Sequence, residues 1–250
     1  GSLDVTHLVE LLSQEVTTLV SLMHVNNEVG VVLDLERIAT ICKEYNALFH
    51  SDTVQSVGKT EIDLKALPID FISASAHKFH GPKGIGFAFI RKNSGLQPLL
   101  LGGEQEKGMR GGTEPIYQVA GMAKALEMAY ANLDSERAYI SDLKKYCIGQ
   151  LTQVFPDSKV VGSENAFYNI INVILPLSDE KAGMLLFHLD IKGIAVSRGS
   201  ACQSGSSNPS HVLAEILSPK ELTKPSLRIS FSHYNTKEDI DYLIEALKTV

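Results

Sequence analysis

The sequence predicts an α/β protein with a large domain built on a mainly parallel sheet and a small C-terminal α+β domain. Two observations predict this fold class. Over residues 7–90, short apolar runs alternate with amphipathic helical patterns, as in sheets whose parallel strands are joined by crossover helices. Beyond residue 168, strands and helices alternate more closely, as in a compact α+β unit. We therefore expect a large domain over residues 1–133 and a small domain over residues 134–250.

Each predicted element has its own local signal. In the large domain we predict helices over 7–14 and 34–45, and strands over 17–25, 47–50, 69–74 and 86–90. The run over 17–25 is almost continuously apolar, which is typical of a strand buried in a parallel sheet, and Asp34 is suited to cap the helix after it. A helical connector over 117–155 leads to the small domain. There we predict strands over 168–175, 193–197 and 226–230 and helices over 179–189, 210–217 and 236–250.

Composition and charge exclude several classes of function. The chain has 250 residues, is 44% hydrophobic and carries a formal net charge of −6 without a long basic run, so we expect no nucleic-acid partner. Apolar stretches are too short to span a bilayer, and the first residues lack the pattern of a secretory signal. The sequence therefore predicts a cytoplasmic protein that binds small molecules or proteins and has no membrane partner.

The three cysteines must be interpreted one by one, because they are too scattered for a disulfide framework or a CxxC zinc site. We predict no metal site. Cys42 and Cys147 fall in helical patterns beside apolar residues, which predicts a place in the core or at its boundary. Cys202 lies in the small-residue stretch SRGSACQSGSS, which could give a nucleophilic thiol exposure and access to successive partners. A free cysteine on a linker without function is the alternative.

Polar residues follow three successive strands of the predicted large domain. They are Asn27 after the first strand, Asp52 and Gln55 after the second, and Ser75, His77 and Lys78 after the third. Because ligands bind at the carboxyl ends of the strands in open α/β sheets, we expect these residues to converge on one crevice.

Lys78 is the candidate for a covalent link to a carbonyl cofactor. Such a lysine must be partly desolvated so that its amine can be neutral, and the neighbouring Ser75 and His77 are donors that suit a phosphate. A surface lysine in a Gly/Pro loop is the alternative. Asp52 could keep a pyridine nitrogen protonated, so that the ring draws electrons from the substrate, or it could simply cap a helix.

Three further residues are candidates with equally ordinary alternatives. Gln55 could bind a phenolic oxygen of the ring and Asn27 could reach the cofactor or a substrate carboxylate, but both could be turn-forming or solvated amides. Arg228 lies in the apolar stretch LRIS, where an unpaired guanidinium would be costly, so it should face a cleft or a carboxylate. A substrate carboxylate and a structural ion pair are both possible partners. His50 is expected to be a buried, hydrogen-bonded histidine.

The segments HVNNEVG, SDTVQ, SASAHKFHGPKGIG, MRGGTEP, SRGSACQS and LRIS occur together over essentially the whole chain. In this combination the chain resembles the cysteine desulfurases of the NifS/IscS group, within the aminotransferase class V family. The resemblance implies the fold of aspartate-aminotransferase-like enzymes (fold type I), a pyridoxal 5'-phosphate cofactor and a homodimer.

The resemblance also implies a role for each candidate residue. Lys78 would carry the cofactor, and His77 would be a candidate proton carrier. The remaining cofactor contacts would be Asp52 at the pyridine nitrogen, Gln55 at the phenolic oxygen, Ser75 and His77 at the phosphate, and Thr113 at the phosphate of the neighbouring subunit. Asn27 and Arg228 would bind the carboxylate of L-cysteine. Cys202 would receive the sulfur as a persulfide, with release of L-alanine, and pass it to a sulfur-acceptor or iron–sulfur scaffold protein.

Two alternatives stay open at this point. A selenocysteine lyase or another class V enzyme would share Lys78 and Asp52, and a non-enzymatic binding module would need neither. Members of this group carry a Gly/Thr-rich phosphate cup and a ring-stacking histidine near the front, and nothing before Thr17 corresponds to either. We therefore expect an N-terminal segment to be missing and the 250-residue chain alone to bind the cofactor weakly.

Overall fold

The structure is a computed structural model that describes residues 1–14, 16–163, 165–198 and 210–250. The chain divides into two compact units. The sheet unit comprises Asp4–His24 and Leu33–Leu133, and the C-terminal unit comprises Gly1–Leu3, Val25–Val32 and Asp134–Val250. The segment Val25–Val32 thus groups with the C-terminal residues, which no local pattern in the sequence indicates. The assignment of the cofactor and of the catalytic cysteine to one domain each stays a prediction.

Most of the described helices and strands follow the predicted order, with ends that differ by a few residues, and the exceptions lie in the C-terminal unit. The elements of the sheet unit are α1 Val5–Leu12, β1 Leu19–Met23, α2 Leu35–Glu44, β2 Leu48–Asp52, β3 Phe71–Ser75, β4 Gly86–Ile90 and α3 Ile116–Ala131. The remaining elements are α4 Leu133–Val154, β5 Lys159–Val161, β6 Ile170–Ile174, α5 Asp179–Ile191, α6 His211–Ile216, α7 Pro219–Leu222, β7 Ser226–Ser230 and α8 Lys237–Lys248.

The sheet unit is built on strands in the order β1-β2-β3-β4. β1 and β3 both run parallel to β2, whereas β4 runs antiparallel to β3. Val20, Phe49 and Ile72 are buried on one face of the sheet, as the alternation of side chains along a strand requires. The predicted mainly parallel sheet is confirmed, and β4 is its antiparallel edge.

Gly86 allows β4 to approach β3 closely. It pairs with Ser75 in the register of the two strands, and a Cβ atom at Gly86 would lie 2.3 Å from the carbonyl oxygen of Ala74. Any side chain would therefore separate the strands. The end of β3, which carries Ser75, is thus held in place by a backbone contact that only glycine permits.

The C-terminal unit contains an antiparallel sheet in the order β5-β6-β7. All five residues of β6 are buried, and helices α4, α5 and α8 contribute to the same core, which includes Leu143, Cys147, Leu185, Leu189, Leu243 and Leu247. The predicted strand over residues 193–197 is wrong, because only Ser197 forms a bridge, to Arg228. The apolar alternation that suggested it reflects Ile194 and Val196, which pack against the core instead. Strand β5 and helix α7 were not predicted.

Candidate active site

The carboxyl ends of β2 and β3 bring two predicted site residues to one face of the sheet. Asp52 is the last residue of β2 and Ser75 the last of β3. Asp52 is in register with Ser73, and Ser73 and Ser75 share a face because side chains alternate along a strand. Because Ser75 lies one strand away from Asp52 and two residues further along, the Cα atoms of these two residues are about 8 Å apart. A carboxylate and a hydroxyl therefore flank a small-molecule-sized patch at this edge.

His77 and Lys78 lie in a single short 3-10 turn, Ala76–Phe79, directly after β3. The Nδ1 atom of His77 is hydrogen-bonded to the hydroxyl of Ser75 at 2.8 Å, which fixes the orientation of the imidazole ring. His80 ends the turn in the left-handed conformation, with φ of 64°. The structure therefore brings Ser75, His77 and Lys78 together at the end of one strand.

The turn after β2 orients Asp52 and Gln55. One carboxylate oxygen of Asp52 accepts a hydrogen bond from the backbone N–H of Val54 at 2.9 Å, while the side chain stays exposed. The buried Thr53 donates its hydroxyl proton to the carbonyl of Ser73 at 2.9 Å, which ties the turn to β3. Gln55 follows, half-buried, in the same turn.

Lys59 is a residue of this region that sequence analysis missed. Its ammonium donates to the carbonyl oxygen of Gln55 at 3.4 Å. Burial lowers the pKa of Lys59 to about 8, and the positive charge of Lys78 is a second cause of the lower pKa. A lysine in a glycine-containing turn is ordinarily solvated, so no local signal could have identified it. Two lysines in one region give it a positive potential, which favours an anionic ligand.

Asn27 and Arg228 lie together in the C-terminal unit. Arg228 donates from Nη1 to the carbonyl oxygen of Asn27 at 3.0 Å and from Nη2 to the hydroxyl of Ser197 at 2.9 Å. The backbone of Arg228 also pairs with that of Ser197, through bonds of 2.7 and 3.3 Å. These partners of Arg228 are a carbonyl and a hydroxyl. Because a guanidinium has five N–H donors, a further bond to a carboxylate is compatible with them.

Glu28 is the second residue that sequence analysis missed. Its side chain is only 1% exposed, and it accepts a hydrogen bond from the hydroxyl of Ser210 at 2.5 Å. The carbonyl oxygen of Glu28 accepts from the amide of Asn172 at 3.3 Å. The motif HVNNEVG indicates a polar turn, but a buried glutamate depends on partners far along the chain, so the sequence alone could not identify it.

The remaining predicted residues have simpler surroundings. Thr113 is exposed in the sheet unit, and its contact with a neighbouring subunit stays a prediction. His50 is half-buried and hydrogen-bonded to the hydroxyls of Ser21 at 2.8 Å and Ser73 at 3.3 Å. Cys42 and Cys147 are buried, which confirms their predicted place in the core. Cys202 lies outside the described residues.

Among residues 1–14, 16–163, 165–198 and 210–250, no histidine, cysteine, aspartate and glutamate side chains cluster in a way that could hold a metal ion. None of the helices in that part of the chain is both long and apolar enough to cross a bilayer.

Comparisons with known proteins agree in family and in fold. The profile of the family described as aminotransferase class-V matches residues 1–243. A protein named cysteine desulfurase IscS from Dictyoglomus turgidum is 40% identical over 235 residues, which are 94% of this chain and 59% of that protein. A protein of the same name from Clostridium botulinum is 41% identical with the same coverage.

The fold also matches a solved structure. The X-ray structure of a NifS-like protein from Rickettsia africae superposes with a TM-score of 0.88 at 35% identity, covering 99% of this chain and 66% of that one. The resemblance to the NifS/IscS group and the predicted α/β fold with a mainly parallel sheet are confirmed, whereas the small C-terminal α+β domain stays a prediction. The chain spans about 59% of the length of the curated relatives it matches.

Proposed function

The chain belongs to the aminotransferase class V family, and on this premise we propose that it provides catalytic residues of a pyridoxal-phosphate-dependent cysteine desulfurase. Its similarity to proteins named cysteine desulfurase IscS supports the reaction. The observation that carries the proposal is the group of Ser75, His77 and Lys78 at the end of β3, on the sheet edge where β2 ends in Asp52.

The residues at this edge fit pyridoxal phosphate chemically. The hydroxyl of Ser75 and the imidazole of His77, already joined by a hydrogen bond, are donors for the phosphate, and Lys59 supplies positive charge. Asp52 presents a carboxylate for the pyridine nitrogen and Gln55 an amide for the phenolic oxygen. When bound, the cofactor supplies an aldehyde that links covalently to an amine and a protonated ring that withdraws electrons from the substrate Cα.

Each side chain of the site would then have its own role in the reaction. The carboxylate of Asp52 would hold the proton at the pyridine nitrogen. The amine of Lys78 would accept the proton from the substrate Cα and return it. Asn27 and Arg228 bind the carboxylate of L-cysteine, for which the guanidinium provides paired donors.

Sulfur transfer is assigned to Cys202. Its thiolate forms a bond to the sulfur of the substrate cysteine while the bond between that sulfur and Cβ breaks. The electron pair of the broken bond stays with the carbon skeleton, which takes up a proton and leaves as L-alanine. The resulting persulfide on Cys202 is passed to a sulfur-acceptor protein, such as an iron–sulfur scaffold, because a persulfide is a reactive carrier and not an end product.

A homodimer is part of the proposal. Leu99, Leu101 and Tyr117 are large apolar side chains in the sheet unit with exposures of 90, 82 and 88%. Thr113, which we propose to reach the cofactor phosphate of the neighbouring subunit, lies between them in the sequence and is exposed as well. Apolar side chains that are this exposed on a folded unit are typical of a surface that another chain covers.

The first test removes the proposed attachment point. Lys78→Ala should abolish the borohydride-reducible link between cofactor and protein, whereas Lys83→Ala, an exposed lysine in the same GPKG loop, should keep it. The measurement is the mass of the protein after reduction with borohydride in the presence of pyridoxal phosphate. A Lys78→Ala protein that still gains the mass of the reduced cofactor would refute the assignment.

The second test separates the cysteine from cofactor binding. Cys202→Ser should bind the cofactor and respond spectrally to L-cysteine, yet release no L-alanine above background. Cys42→Ala, which removes a buried thiol, should retain turnover. Undiminished release of L-alanine by Cys202→Ser would overturn its role in sulfur transfer.

A further inference from the structure

His24 is a buried histidine, directly after β1, that takes no part in the proposed reaction. Its side chain is 8% exposed. The backbone N–H of His24 donates to the carbonyl oxygen of Asp52 at 2.9 Å, and the ring atom Nδ1 is hydrogen-bonded to the hydroxyl of Ser56 at 2.9 Å. Ser56 is itself fully buried. The backbone and the side chain of His24 therefore both contact the turn that begins with Asp52.

The hydroxyl of Ser56 has a single proton, and the structure directs it away from the ring. It donates to the carbonyl oxygen of Thr53 at 3.2 Å, so Nδ1 of His24 must be the N–H donor in its bond to the same hydroxyl. Burial lowers the pKa of His24 to about 4, so the ring is uncharged at neutral pH and carries one N–H. The two hydrogen bonds thus run in one direction, from His24 through Ser56 to Thr53.

The carbonyl of Thr53 and the N–H of Val54 belong to one planar peptide group. That N–H donates to the carboxylate of Asp52 at 2.9 Å, so a rotation of the peptide group would move the partner of the carboxylate. Two backbone N–H groups of the turn itself also donate to the Thr53 carbonyl, both at 2.9 Å. These bonds stiffen the turn internally, whereas the ring of His24 attaches the turn to the end of β1.

Thr53 attaches the same turn to the other neighbouring strand. Its backbone N–H and its hydroxyl both donate to the carbonyl oxygen of Ser73 in β3, at 3.0 and 2.9 Å. Gln55 lies in the sequence between Thr53 and Ser56, which are the two points of attachment. The turn therefore presents Gln55, like Asp52, from a backbone that is held from both sides.

We propose that His24 is a positioning residue, which holds the turn over residues 52–56 in place through the hydroxyl of Ser56. The turn carries Asp52 and Gln55, the two side chains that we propose to contact the cofactor ring, so this inference rests on the proposed function. His24 touches neither cofactor nor substrate in this role. Its effect is on geometry, because ring contacts need side chains whose own support is fixed.

The donors proposed for the cofactor phosphate lie outside this turn. Ser75 and His77 follow one another at the end of β3 and are hydrogen-bonded to each other. Loss of the bond between His24 and Ser56 should therefore weaken the contacts to the ring and leave those to the phosphate. A general loss of structure would weaken both, so the difference identifies a positioning role.

The test removes the link and compares it with a matched serine. Ser56→Ala deletes the hydroxyl between the ring and the peptide group. Ser51→Ala is the control, because Ser51 is equally buried, precedes Asp52 in β2, and has a hydroxyl without a hydrogen-bond partner among the described residues. His24→Leu should match Ser56→Ala, whereas His24→Asn places an amide N–H near the position of Nδ1 and should rescue. All variants are made in the natural full-length protein.

Three measurements judge the role of His24. Nitrogen NMR of the histidine rings, recorded without cofactor, should show a protonated Nδ1 in His24 and a changed shift in Ser56→Ala. The dissociation constant of pyridoxal phosphate, followed by its absorbance, should rise about fivefold in Ser56→Ala, which corresponds to a hydrogen bond of ordinary strength. The inhibition constant of inorganic phosphate against cofactor binding should stay at the value for Ser51→Ala. Combining His24→Leu with Ser56→Ala should weaken cofactor binding no more than either change alone.

The outcomes separate this inference from the proposed function. A wild-type protein that does not bind pyridoxal phosphate would refute the function and the role of His24 at the cofactor, while the ring nitrogens would still decide whether the link exists. An unprotonated Nδ1 in wild-type His24 would overturn the link. Cofactor affinity in Ser56→Ala equal to that in Ser51→Ala, or an equal loss of affinity for cofactor and for phosphate, would overturn the positioning role.

Discussion

Acidification should destabilise the sheet unit through one buried imidazole, that of His24. The side chain is 8% exposed, its Nδ1 is hydrogen-bonded to the hydroxyl of Ser56 at 2.9 Å, and burial lowers its pKa from 6.5 to about 4. The unfolded chain therefore binds a proton at His24 at higher pH than the folded chain does. The stability that depends on a neutral His24 is present above pH 6.5 and is lost as the pH falls from 6.5 to about 4.

The size of this loss follows from the pKa difference. Because the pKa of the buried ring falls from 6.5 to about 4, protonation of His24 costs the folded protein about 3 kcal/mol of stability by pH 4. Stability is a small difference between large opposing terms, so a loss of this size should move the midpoint of urea unfolding clearly.

The assay compares wild type with His24→Asn between about pH 7 and about pH 4.5 by urea denaturation followed by circular dichroism. Asparagine places a polar atom near the position of Nδ1 and does not titrate, so the stability advantage of the wild type should shrink as the pH falls. A wild-type advantage over His24→Asn that is constant with pH would refute the reasoning.

Three further substitutions should change the free energy of unfolding, each in a direction that the structure predicts. Gly86→Ala should destabilise the protein by about 1–3 kcal/mol, because the new methyl group would meet the carbonyl of Ala74. In helix α4, a Cβ atom at Gly149 would meet nothing within 4 Å outside its own stretch of helix backbone, so Gly149→Ala should stabilise the protein by about 0.5–1 kcal/mol. Equal effects of the two changes in urea denaturation would contradict this. Thr236→Ala removes the capping box of α8 and should cost about 1 kcal/mol in the same assay. Burial raises the pKa of Cys147 to about 12, so peptide mapping should find it unlabelled by iodoacetamide until urea unfolds the chain, and rapid labelling in the folded protein would disprove its burial.

The elements of the sheet unit could be predicted because their signals are local. β1, β2 and β3 are short apolar runs that end in polar residues, and Asp34 caps α2 by accepting a hydrogen bond from the backbone N–H of Arg37. The same method failed over residues 193–197, where alternating apolar residues pack on a core and do not pair with a neighbour. Periodicity reports which side chains are buried, and it does not distinguish burial against helices from burial in a sheet.

Some residues of the candidate site could likewise be predicted from local signals, and others could not. Ser75, His77 and Lys78 are close in sequence and lie at the end of one strand, so their proximity could be predicted from the strand alone. Glu28 and Ser210 are 182 residues apart, and each looks like an ordinary turn residue in its own segment. Their pairing depends on the grouping of Val25–Val32 with the C-terminal residues, which is a property of the folded chain.

For Arg228, the sequence predicts that partners are needed, but only the folded chain shows which residues they are. Its place in an apolar strand predicts that its guanidinium must have strong partners, and the structure supplies them as the carbonyl of Asn27 and the hydroxyl of Ser197. These bonds fix the plane of the guanidinium before any substrate arrives, so the ordering of a long side chain would not have to occur on binding. Arg228→Lys should therefore weaken substrate binding although it keeps the charge, because an ammonium cannot reproduce the planar fork that holds both partners and a carboxylate. The measurement is KM for L-cysteine, and an Arg228→Lys protein with the wild-type KM would contradict both the carboxylate contact and the role of the fixed guanidinium plane.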